Sequence, residues 1–176
     1  IDALPGRVVE CPVEVALAGE DRALVAAPHR DDDVRRLDRG VAGIIFVSGL
    51  HADSTANHER YAALVERGLP IVLVNGYAEG IHAPFISDDD TAAMELAVAH
   101  LTSMSHRRIG LAVGPIRFVP VVRKRAAFID AMNRLAGMPA DEAATLVSHS
   151  LFAVEGGQAA AHHLLGLGVT AIVCGS

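Results

Sequence analysis

Runs of β-branched and aliphatic residues alternate with amphipathic stretches along most of the chain, which predicts strands separated by helices. Ala23 to Ala27 (ALVAA) reads as a strand, and Asp31 to Arg39 as a short helix opened by three acids. Gly43 to Val47 (GIIFV) is a buried strand, followed by an amphipathic helix over Thr55 to Arg67. Gly68-Leu69-Pro70 ends that helix, and Ile71 to Val74 (IVLV) is the next strand. Phe85 to Ser87 forms a short strand. A long helix then runs from Asp90 to Ser105, with apolar Ala93, Leu96, Ala97 and Leu101 at helical spacing. Arg108 to Val113 (RIGLAV) is a strand, Val121 to Leu135 a helix, and Thr145 to Val147 a strand. Glu155 to Leu165 is the last helix, and Val169 to Cys174 (VTAIVC) the last strand. Between Ile1 and Ala18, Pro5, Gly6, Cys11 and Pro12 interrupt any regular pattern, and Val13 to Gly19 offers only a helix end.

Continuous apolar strands separated by helices of this length imply an α/β fold with parallel sheets covered on both faces. In such sheets ligands bind beyond the carboxyl ends of the strands. Ser48, at the end of GIIFV, and Asn75, after IVLV, stand at such ends. A hydroxyl and an amide there can bind a ligand or simply terminate strands.

The 176 residues are 51% hydrophobic and 20% charged, enough apolar material for a packed core and against disorder. Aromatic residues make up only 4%, so the core is expected to be aliphatic. A net charge of −6 disfavours contact with phosphate backbones, and the chain carries no helix-turn-helix, zinc-finger or basic-aromatic pattern. Cys11 and Cys174 form no CxxC pair and are expected reduced in apolar surroundings, as in a cytoplasmic protein. No apolar run approaches the roughly 20 residues of a membrane span, and no signal-peptide pattern follows Ile1.

Enzymatic signatures are also missing. The chain holds no GxxxxGK loop, no GxGxxG after a strand, no GxSxG elbow and no HExxH. His162 and His163 are adjacent rather than at the spacing of a helical zinc site, so neither a metal nor a cofactor is expected. Two acidic triplets precede helices. Asp31-Asp32-Asp33 most simply favours the positive end of a helix. Asp88-Asp89-Asp90 reads chiefly as capping for the long helix, with Asp89 or Asp90 accepting backbone N–H bonds. In the sharper reading one of these acids faces a cleft, with Asp89 the candidate. Arg123, Lys124 and Arg125 point in different directions on one helix, so at most one or two face a cleft and the others are solvated. Arg123 and Lys124 are the candidates for a polar ligand.

Several stretches, in order, resemble one family. Val41 to Phe46 (VAGIIF) is similar to the "vDGII" strand of lactose- and galactose-repressor-type regulators, the LacI/GalR family. Gly68 to Val74 resembles their "giPvVli" segment, and Ile86 to Leu101 their "vsvDNxxgaxxAxxHL" helix. Ser105 to Gly110 (SHRRIG) resembles "GHrrIa", Arg123 to Met132 resembles "RxxGFxxAl", and Thr170 to Ser176 resembles "tAvfcxnD". Departures occur at Asp90, where Asn is usual, at Ser105 and Ala127, where Gly is usual, and at Lys124, where Arg is usual. The last of these leaves the identity of the ligand-contacting cation open between Lys124 and Arg123.

The resemblance implies two Rossmann-like parallel-sheet lobes of the periplasmic-binding-protein-like type I. On this basis residues 1–105 form the N-terminal lobe, without an evident first strand, and residues 106–176 an incomplete C-terminal lobe. It further implies a cytoplasmic, homodimeric transcription regulator whose cleft binds a sugar or similar effector. Operator DNA would be met only through a headpiece outside these residues. A periplasmic sugar-binding protein of the same fold is the alternative. An enzyme is disfavoured, because no nucleophile and base can be paired. A polypeptide limited to these residues is expected to be marginally folded, since its open sheets leave strand edges exposed.

Overall fold

The computed structural model of the chain describes residues 25–26, 43–47 and 49–175. Two parallel sheets organise them. The first carries β1 (Val25–Ala26), β2 (Ile44–Val47), β3 (Ile71–Val74) and β4 (Phe85–Ile86), in that spatial order. The second places β5 (Ile109–Val113) between β6 (Val147–His149) and β7 (Ala171–Cys174). Every described pair is parallel, with Phe46 opposite Leu73 in the first sheet and Leu111 opposite both Val147 and Val173 in the second. Parallel neighbours need crossover connections, and helices supply most of them. Within the first sheet α1 (Glu59–Glu66) leads from β2 to β3, while α2 (Asp90–Ser103) leads from β4 of the first sheet to β5 of the second. α3 (Val119–Ala136) and α4 (Ala140–Thr145) lead to β6, and α5 (Val154–Gly166) leads to β7.

Each sheet has its own core. Ile44, Phe46, Ile71 and Leu73 of the first pack on Tyr61 and Leu64 of α1, with the Tyr61 ring edge-on to Phe46 at 4.8 Å. Ile109, Leu111 and Val113 of β5 pack among Phe128 and Met132 of α3, Leu146, and Leu164 of α5. Helices cover β5 on both faces, which is why its sequence is apolar without alternation. At Gly110 a side chain would begin 3.0–3.3 Å from Leu164 carbons, so the missing Cβ lets α5 lie close to the sheet.

The expected elements recur with local differences. The helix expected from Thr55 starts only at Glu59, because the residues before it use their polar groups locally. Asp53 Oδ1 accepts bonds from both the amide and the hydroxyl of Thr55, and Asn57 Oδ1 accepts one from the Glu59 amide. The short helix α4 is absent from the sequence reading. It occupies Ala140–Thr145 and moves β6 to Val147–His149. Acids at Asp141 and Glu142 in its first turn, after Pro139, favour it there.

α2 differs in the face it buries. Met94 and Val98 enter the second core with Asp90 on the same stripe, whereas Leu96 is 59% exposed. Apolar residues surround this helix, so their spacing does not choose a side. By this packing α2 lies with the second sheet. Cys174 is exposed at the end of β7 rather than buried in apolar surroundings. The stretches expected at Asp31 to Arg39 and at Val13 to Gly19, together with Cys11, lie outside the described residues.

Candidate functional site

Where the carboxyl ends of the two sheets face one another, the chain forms a cavity of about 640 Å³. Its walls come from strand ends. Gly49 follows β2, Asn75 follows β3 and Ser87 follows β4; Arg117 and Phe118 follow β5, Phe152 follows β6 and Gly175 follows β7. This is where a parallel sheet presents ligand-binding groups, because loops leaving adjacent strands diverge there and their backbone polar groups are not used up in the ladder.

The charged centre of the cavity is Asp90, on the first turn of α2 and 4% exposed. Lys124 Nζ of α3 lies 3.5 Å from Asp90 Oδ1, and Arg123 Nε lies 3.0 Å from Oδ2. Arg123 Nε and Asp90 Oδ2 face each other as a buried ion pair, so Oδ2 is turned to Arg123. Arg123 also donates from Nη2 to Ser87 Oγ at 2.7 Å, so it braces the crossover behind the carboxylate. Asp90 and Lys124 line the cavity, while Arg123 is not on its wall.

The other expected residues fall in different places. Asn75 lines the cavity, with φ 62°, a left-handed conformation that asparagine adopts more readily than most side chains. Asp89 accepts a bond from the Ala92 amide at 2.9 Å and so caps α2, outside the cavity wall. Ser48 lies outside the described residues. Sequence reasoning selected Asp89 and passed over Asp90. The sign that separates them is that Asp90 shares a helical stripe with Met94 and Val98, the buried face.

Two aromatic rings complete the wall. Phe118 and Phe152 stand 5.6 Å apart, and the Phe152 ring lies against Gly114, where a Cβ would fall within 2.0–2.7 Å of ring carbons. Only glycine leaves space for the ring. Aromatic faces beside hydrogen-bonding side chains suit a ligand with both C–H and O–H surfaces. At the mouth, Arg117 Nε donates to Asp53 Oδ2 at 2.8 Å. Partial desolvation pushes the Asp53 carboxyl up. Bonds from the Thr55 hydroxyl and amide, with Arg117, outweigh it and hold the carboxyl below its ordinary value.

Among the described residues no three His, Cys, Asp or Glu side chains group as a metal site would, and no helix is long and apolar enough to cross a membrane. Two parallel-sheet lobes enclosing a cleft at their strand ends define an α/β fold of the periplasmic-binding-protein-like type. The chain is 53% identical over 171 residues to an uncharacterized HTH-type transcriptional regulator in the aml 5′ region of Streptomyces limosus, a match covering 93% of this chain and 49% of that protein. A LacI-family regulator from Burkholderia phymatum superposes with a TM-score of 0.64 at 26% identity, over 81% of this chain and 50% of that one. The transcriptional regulator CelR in complex with cellobiose superposes with a TM-score of 0.63 at 27% identity, over 82% and 45%. No family model matches the chain. The chain is of the LacI/GalR type and corresponds to part of the effector-binding domain of such regulators, a class of proteins that are not enzymes. It spans about half the length of the curated relatives it matches.

Proposed function

We propose that this chain is the sensing part of a cytoplasmic transcription regulator and that its cleft binds a sugar or a similar polar effector. The observation that carries the reading is the pair of Asp90 and Lys124, a nearly buried carboxylate and an ammonium side by side on the cavity wall. A ligand hydroxyl can accept from an ammonium and donate to a carboxylate beside it. Lys124 and Asn75 supply donors on the same wall, and Phe118 and Phe152 supply apolar faces. Arg123 positions Asp90, and Asp89 fixes the start of the helix that carries it. Ser48, next to the wall residue Gly49, joins the site in this reading. The CelR–cellobiose complex supports the sugar class, as a likeness in fold with a saccharide bound.

The HTH-type relative supports a headpiece elsewhere in the protein that meets operator DNA, and two such headpieces on paired chains would fit a palindromic operator. Effector and operator are then coupled through the lobe arrangement each favours. The test is titration calorimetry of the full-length protein against monosaccharides and disaccharides, cellobiose among them, repeated with Lys124→Ala. Saturable binding that weakens at least tenfold, about 1.4 kcal/mol, in the variant is expected. Binding of equal strength in both proteins would remove Lys124 from the site.

A further inference from the structure

The mouth of the cleft is joined across the two lobes. Asp53 follows the short 3-10 turn at Leu50–Ala52 in the first lobe, and Arg117 precedes α3 in the second, 64 positions away. Asp53 and Phe118 form an isolated antiparallel bridge. The Ser54 amide and the Ser54 hydroxyl both donate to the Arg117 carbonyl, at 2.9 and 2.8 Å. The guanidinium donates back to Asp53 Oδ2 at 2.8 Å and stacks over the Phe118 ring, 4.8 Å from its centroid.

The first-lobe half also has bonds of its own. Asp53 Oδ1 is taken by both donors of Thr55, which leaves Oδ2 turned to the other lobe. His58 Nε2 lies 2.9 Å from the Leu50 carbonyl and 3.0 Å from the Asp53 carbonyl, which ties the turn to the start of α1. A turn bonded only within its own lobe would satisfy Asp53 with Thr55 alone; here one carboxylate oxygen and both Ser54 donors are directed at a single residue of the other lobe.

We infer that Asp53, Ser54 and Arg117 form an inter-lobe clasp that holds the cleft closed at its mouth and so sets how readily ligand enters and leaves. They are positioning residues, acting on the separation of the lobes rather than on the ligand. The purpose of the clasp rests on the effector reading, but its existence in solution does not.

The test uses the full-length protein without ligand. Cys11→Ser and Cys174→Ser, with any cysteine elsewhere in the full-length protein replaced likewise, clear the background, and nitroxide labels on Glu66→Cys of α1 and Glu155→Cys of α5, both exposed sites in opposite lobes, report the lobe separation by electron–electron resonance. The clasped protein is expected to give one narrow distance. Combined Ser54→Ala and Arg117→Ala should shift and broaden it to longer distances, and Arg117→Lys should restore much of the short population. An unchanged distribution in the double variant overturns the clasp. If that variant does not fold, Arg117→Ala alone is read in the same way, since its side chain is nearly half exposed and carries little of the core. Absence of any sugar binding would count against the effector reading and leave this distance result standing.

Discussion

Asp53 is bonded from two sides, and both sides favour its charged form. Thr55 and Arg117 together overcome the desolvation that raises the carboxyl, so its folded-state pKa lies below the ordinary aspartate value of 3.8. A depressed carboxylate contributes stability that is fully present above the unfolded value and is lost as pH falls through the folded one. The contribution is therefore expected to be intact at neutral pH and to disappear only below about 4. Carbon-detected NMR titration of Asp53 should give a midpoint below that of an unstructured aspartate, and Arg117→Ala should move it up. No movement would mean that the ion pair does not form in solution. Gly114 makes a separate prediction. With Gly114→Ala the Phe152 ring must leave its place, and since that ring is 56% exposed the fold should keep its stability within about 0.5 kcal/mol. Ligand affinity should fall several-fold, read by the same calorimetric titration.

Among the elements, α2 explains both what the sequence revealed and what it concealed. Its existence and limits were legible, because Asp89 is a good N-cap and the apolar composition is helical. Its buried face was not, because Leu96 and Met94 are equally apolar and only the neighbouring α3 decides which turns inward. That ambiguity also hid Asp90 behind Asp89. Met94→Ala should cost about 2–5 kcal/mol in chemical denaturation, and Leu96→Ala, on the exposed face, less than about 0.5 kcal/mol. Equal losses would contradict the packing. Beyond the helix end, Ser105 holds φ 71° at a position where the sequence resemblance places glycine. A left-handed conformation strains a residue with a Cβ, so Ser105→Gly is expected to stabilise the fold by about 1 kcal/mol and raise Tm. The strands were read best, since IVLV and GIIFV carry apolar residues on both faces as buried parallel strands must. The helix α4 escaped notice because its six residues are too few for a periodic signal.

At the scale of the molecule, two independently packed sheets meet around a cleft walled by strand ends and by the first turns of α2 and α3. Parallel order and the use of strand ends could be expected from the chain alone, since they follow from apolar runs and crossover helices. The juxtaposition of Asp90 with Lys124, and of Asp53 with Arg117, could not, because each pair is brought together by the docking of elements far apart in sequence. Asp90 with Lys124 and Asp53 with Arg117 are two charged pairs on the cleft wall, and the proposed ligand sits at the first. The most direct measurement is calorimetric titration of the full-length protein with a sugar found to bind it, set beside Asp90→Ala and Lys124→Ala. Saturable binding at one site per chain is expected, weakened at least tenfold in each variant while both remain folded by circular dichroism. Undiminished binding in the two folded variants, or no saturable binding by any sugar tested, would contradict it.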